Sequence, residues 1–110
     1  MGTIEYHKLV RDRIPENIRA AGKNCEIRIL EPEEYRKKLR EKLNEEVAEY
    51  QDSMDPAELA DILEVLLALG KTHGLDPDGL EQMRREKAGR AGGFRDRIEL
   101  ISVQDDQVGD

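Results

Sequence analysis

Leu43-Asn44-Glu45-Glu46-Val47-Ala48-Glu49-Tyr50-Gln51-Asp52-Ser53-Met54-Asp55-Pro56-Ala57-Glu58-Leu59-Ala60-Asp61-Ile62 carries the architecture of the chain. It reads as the end of one helix, a turn and the start of another. The first helix opens at Pro32. At about 100° per residue, Leu39, Leu43, Val47 and Tyr50 form one apolar stripe, Glu46 falls inside it, Glu49 flanks it, and Glu45 points further toward solvent. The second helix runs from Pro56 to about Lys71, with Leu59, Ile62, Leu63, Val65, Leu66, Leu67 and Leu69 placed nearly all the way round, a pattern expected of a helix buried on most sides. Glu58 nevertheless projects between Val65 and Leu69, and Asp61 beside Val65 and Ala68. An ionised carboxylate in such a place must protonate, pair with a base or bind a metal.

The connection Gln51 to Asp55 is short, which predicts antiparallel packing of the two helices. With a rise of about 1.5 Å per residue, Glu49 and Glu58 sit roughly one turn from the hairpin tip, and Glu46 and Asp61 one turn deeper. The four acids are therefore expected to converge. All their donors are hard oxygens, which suit magnesium, or manganese in its place, rather than zinc. Plainer readings exist for two of them. Asp55-Pro56-Ala57-Glu58 has the form of a capped helix start, with Glu58 at the capping-box position, and Glu49 is an ordinary surface acid in a chain that is 39% charged. Glu46 and Asp61 are harder to explain in that way, because an apolar helix face gives them no evident reason to be acidic.

At these residues the chain resembles the all-α nucleoside triphosphate pyrophosphohydrolase superfamily, the MazG-like and phosphoribosyl-ATP pyrophosphohydrolase-like proteins. Their EExxE motif followed by ExxD is matched by Glu45-Glu46-Val47-Ala48-Glu49 and Glu58-Leu59-Ala60-Asp61. Tyr6-His7-Lys8-Leu9-Val10-Arg11-Asp12-Arg13-Ile14-Pro15 is similar to the N-terminal segment of a small single-domain branch, and Glu86-Lys87-Ala88-Gly89-Arg90-Ala91-Gly92-Gly93-Phe94 to its basic, glycine-ending segment. The likeness spans roughly Tyr6 to Ile101. It implies a mainly α, antiparallel helical bundle completed by dimerisation, as a dimer or dimer of dimers, with magnesium held by Glu46, Glu49, Glu58 and Asp61. Two departures stand out. The stretch between the acidic motifs leaves little room for substrate-selecting insertions, and Gly89 interrupts a segment usually more helix-favouring, which bears on where Arg90 lies.

The activity so implied is magnesium-dependent hydrolysis of a nucleoside triphosphate between the α and β phosphates, giving monophosphate and pyrophosphate, with phosphoribosyl-ATP the main rival substrate. Glu46 acts there through the metal, and Glu45 is a candidate base or outer partner. Lys8 and Arg11 lie in the basic run ahead of Pro15, and Lys87 and Arg90 within about one helical turn of each other; all four are candidate phosphate-binding groups. Each would otherwise be a solvated charge or a surface ion pair. His7 and His73 make no metal pair by spacing. Outside enzymes, the same residues suit a metal-dependent nucleotide-binding regulator, or a helical interaction module whose acids pair with lysine and arginine.

A chain of 110 residues is expected to form one domain, residues 1–101, with 102–110 a polar, acidic and disordered tail. It has no run of about 18 apolar residues for a membrane span, and its start lacks a secretory apolar stretch, so a cytoplasmic protein is expected. The net charge of −7 argues against a nucleic-acid surface. A lone cysteine, Cys25, forms no internal disulfide. Within the domain, a short helix is predicted from Pro15 to Ala21, a strand over Cys25–Leu30, a third long helix from Asp76-Pro77 to about Gly92-Gly93, and a strand from Phe94 to Leu100 that pairs near Ile27 and Ile29. So apolar a second helix in so small a chain predicts homodimerisation through the helices.

Overall fold

The computed structural model describes residues 2–105. It is mainly helical, with α1 at Ile14–Ala20, α2 at Pro32–Ser53, α3 at Pro56–Thr72 and α4 at Pro77–Ala91. The chain divides into two compact units, Met1–Leu80 and Glu81–Asp110.

In the first unit α2 and α3 form a helical hairpin. Pro32 opens α2 with Glu33 and Glu34 in its first turn, where a fixed φ and negative charge both favour a helix start. The helix runs on into the expected turn and stops at Met54, which adopts φ 54°, ψ 26° and donates its N–H to the Tyr50 carbonyl at 2.7 Å. The connection is thus Met54-Asp55, shorter than the Gln51–Asp55 expected. Asp55 then caps α3, its side chain accepting the Ala57 N–H at 2.9 Å. At the far end Gly74, at φ 78°, takes the left-handed position that follows a helix. The buried Gly70 has Leu75 and Leu80 close by: a Cβ there would stand 3.4 Å from Leu80 Cδ2.

Among the described residues the buried apolar side chains are Leu39 of α2 and Val65 of α3. Within one chain α3 is only partly covered: Leu59, Leu63 and Leu66, at i, i+4 and i+7, are exposed along one face. One chain covers only the side of α3 that α2 reaches. The segment before α1 has no regular structure and meets α2, where Lys38 Nζ donates to the His7 carbonyl at 2.9 Å.

In the second unit α4 continues through Gly89 to Ala91, so that glycine does not interrupt it. Gly92, at φ 85°, donates its N–H to the Ala88 carbonyl and closes the end. Neither predicted strand forms: no residue among those described is in a strand. Ile29 is 85% exposed and Phe94 98% exposed. Alternation supplies the side-chain pattern of a strand, but a strand also needs a neighbour to hydrogen-bond with, and these segments have none among the described residues. Residues 102–105 carry no regular structure, and the rest of the predicted tail lies outside the described residues. No described helix is long and apolar enough to cross a membrane.

Candidate metal centre

Both acidic motifs come together on one side of the hairpin. Carboxylate oxygens of Glu46, Glu58 and Asp61 lie within 4.8 Å of one another, and so do those of Glu45, Glu46 and Glu49. Glu46 belongs to both groups. This meeting follows from antiparallel helices joined by a short turn, because a step toward the tip on α2 is matched by a step toward it on α3. A hard cation holds its oxygens about 2.0–2.6 Å away, so opposed ligands stand about 4–5 Å apart. The triad spanning α2 and α3 has that spacing.

Glu46 is the deepest of these acids, 7% exposed. Its Oε1 lies 3.4 Å from Lys42 Nζ. Its Oε2 is buried and has no hydrogen-bond partner among the described residues. Such an orphaned oxygen costs free energy unless something meets it. Burial pushes the Glu46 carboxyl above the ordinary carboxylate range, and the Glu49 charge pushes it further, while Lys42 acts in the opposite sense. Glu58 is raised as well, first by desolvation and then by Glu49, Asp61 and Glu46.

Glu58 is not spent on capping. The N–H of Asp55, which a capping box would give to Glu58, is donated to Ser53 Oγ at 3.1 Å. The carboxylate is left to face the other acids. Glu58 and Asp61 are half-buried, whereas Glu49 is exposed. Glu45, expected to face solvent, is half-buried and joins the α2 triad.

Among the described residues three cations approach these acids. Arg11 donates to Asp61 Oδ1 at 2.7 Å, Lys8 Nζ stands 3.8 Å from Glu45 Oε1, and Lys42 lies between Glu45 and Glu46. The N-terminal segment thus brings both of its candidate basic residues to the site. Lys42 is a further participant that the acidic motifs do not announce, although its spacing of three and four residues from Glu45 and Glu46 is that of facing helical neighbours. Five carboxylates against three cations leave negative charge over. Lys87 and Arg90 belong to the second unit, on α4, where Lys87 and Arg90 are not drawn into any ion pair among the described residues.

The donor set and the orphaned Glu46 oxygen both fit a hard divalent cation. No cysteine or histidine belongs to either triad, so the nitrogen and sulfur donors that zinc favours are missing from it.

No family model matches the chain, and no solved structure matches it. An uncharacterized protein of Mycolicibacterium smegmatis is 54% identical to it over 52 residues, covering 46% of this chain and 53% of the relative. The chain spans about half the length of that curated relative.

Proposed function

We propose that the protein is a magnesium-dependent nucleotide pyrophosphohydrolase of the MazG-like kind, acting in the cytoplasm on a nucleoside triphosphate or a related nucleotide such as phosphoribosyl-ATP. The observation that carries this reading is the buried, unpartnered Glu46 Oε2 at the junction of two carboxylate triads. Glu46, Glu49, Glu58 and Asp61 hold the cation; manganese is an acceptable substitute. When bound, the cation supplies neutralisation of phosphate charge and acidification of water.

The chain's own residues then divide the remaining work. Water oxygen forms a bond to the α phosphorus, the bond from that phosphorus to the bridging oxygen breaks so that the oxygen leaves with the pyrophosphate, and the water proton passes to Glu45, which lies beside the ligands and is half-buried. Lys8 and Arg11, already at the acids, take up negative charge on the departing pyrophosphate. Lys87 and Arg90, on α4 in the second unit, are phosphate-binding candidates on the strength of the sequence resemblance alone.

The reading includes a second copy of the chain. Two buried apolar side chains among the described residues are a small core for a chain of this size. The exposed Leu59–Leu63–Leu66 stripe is the face we assign to a homodimer, or to a dimer of dimers.

A helical interaction module whose acids are merely paired is favoured by the Arg11–Asp61 and Lys8–Glu45 contacts. The surplus of acids over bases and the orphaned Glu46 oxygen count against it. A regulator that binds a nucleotide without turnover shares the site and differs only in rate. The decisive experiment is a panel of nucleoside triphosphates and phosphoribosyl-ATP assayed for pyrophosphate with and without magnesium. Release is expected only with the metal, and is expected to disappear in Glu46→Gln and Asp61→Asn. Metal-dependent nucleotide binding with no pyrophosphate from any of them selects the regulator; neither binding nor release selects the interaction module.

A further inference from the structure

Arg11 and Asp61 are fifty residues apart in sequence, yet theirs is a close contact between a cation and one of the proposed ligands, at 2.7 Å. Both side chains are about half exposed, 55% and 41%. The backbone around Arg11 is also held by contacts other than this ion pair. On one side Lys38 holds the His7 carbonyl; on the other the Arg11 carbonyl accepts the Ile14 N–H at 3.1 Å, at the start of α1. The Arg11 side chain has one hydrogen-bond partner among the described residues.

A divalent cation held by Glu46, Glu58 and Asp61 would share the Asp61 carboxylate with the guanidinium. Like charges at such close range repel. We infer that Arg11 and a divalent cation compete for the Asp61 carboxylate, so that Arg11 is a resident counter-ion which cation loading displaces and offers to an anionic ligand. This rests on the cation site proposed above and adds an order of events to it. The arginine fork is held away from phosphate oxygens until the metal is in place, and is then released beside them. The orphaned oxygen of Glu46, together with Glu58, which has no basic partner among the described residues, gives the metal its foothold while Asp61 is still occupied.

Manganese binding to the full chain, followed by its paramagnetic signal without nucleotide, tests the competition. Arg11→Gln is expected to bind manganese about two- to fivefold more tightly than the wild type, the modest scale of a half-exposed ion pair. Lys8→Gln removes the same charge from the Glu45 side and is expected to gain clearly less. Equal gains in the two variants would reduce Arg11 to a nearby charge, and unchanged or weaker binding in Arg11→Gln would make it a structural brace; either result overturns the inference. With manganese present, inorganic pyrophosphate should bind Arg11→Gln more weakly than the wild type, and equal binding overturns the release step. Glu46→Gln separates the two levels. Manganese binding that this variant leaves intact removes the cation site itself, whereas binding that it abolishes, with no gain in Arg11→Gln, removes only the competition.

Discussion

Glu46 and Glu81 are the same residue in opposite surroundings. Glu81, on α4, accepts from Arg84 Nε at 2.7 Å and has Arg85 nearby; its carboxyl is held below the ordinary range, first by the Arg84 hydrogen bond. Glu34 repeats this on α2, accepting from Arg28 at 2.8 Å. Its carboxyl too is lowered, by the Arg28 hydrogen bond first and the Arg28 charge second. Glu46 and Glu58 go the other way, raised first by burial and then by neighbouring acids. In the first pair negative charge is already neutralised by a guanidinium. In the second it is left over, and left-over charge in a partly buried place is what gives a cation a reason to bind.

The largest expected effect breaks that contrast at its centre. Glu46→Gln removes a buried charge with an unpartnered oxygen, so the metal-free protein should melt at a higher temperature than the wild type. The same substitution should lower magnesium-dependent pyrophosphate release by about 100-fold or more, since even outer partners of metal ligands are commonly worth about 10- to 100-fold. Gain of stability with loss of activity is the signature of a group kept for binding. Loss of both would mean that Glu46 serves the fold, through Lys42, and not the site.

Magnesium itself should stabilise the wild type by mass action. At a free concentration about 100 times its dissociation constant, a cation that binds only the folded chain adds about 2.7 kcal/mol. A melting series with magnesium against sodium chloride at matched ionic strength measures it. The gain should vanish in Glu46→Gln; a gain of the same size in the variant would be nonspecific screening of a chain with net charge −7.

The two kinds of acid should also respond to pH in opposite senses. Glu46 and Glu58 have folded values above the unfolded one, so between the two values the folded chain holds more protons, and metal-free stability should fall as pH rises through that window. Glu34 and Glu81 have folded values below the unfolded one; their contribution is present above the ordinary carboxylate range and is lost as pH falls through the lowered values. Unfolding in urea at a series of acidic pH values reads both. Glu46→Gln should flatten the upper window and leave the lower one unchanged. An unchanged upper window would show that burial of Glu46 exerts no such strain.

Much of the hairpin is legible in the sequence because its punctuation is local. Pro32, Pro56 and Pro77 each open a helix, Asp55 and Asp76 cap the last two, and the acids keep the three-residue spacing that brings them together. The hairpin turn is harder to read, because Met54, a residue with no strong left-handed preference, ends α2 where glycine would have signalled it. The strands expected at 25–30 and 94–100 fail because alternation is local while pairing is not. Within the site, periodicity alone places Glu46 in the apolar face. The Arg11–Asp61 contact is beyond its reach, since no pattern in either segment encodes which of the many bases meets which of the many acids. Lys42 is within reach, and is hidden only by its likeness to the other charges of a solvated face.

The smallest effect expected is the control arm of the contrast. Glu81→Gln removes an acid that already has its guanidinium partners on a solvent-facing helix, where ion pairs contribute little. Its melting temperature should lie only slightly below that of the wild type, and magnesium should stabilise both by the same amount. Because Glu81 and Glu46 lose the same charge on substitution, net charge cannot explain a difference between the two variants. A magnesium response reduced equally in both would therefore dissolve the distinction on which the metal centre rests, since it would follow the total charge of the chain and not the place where the charge is left unpaired.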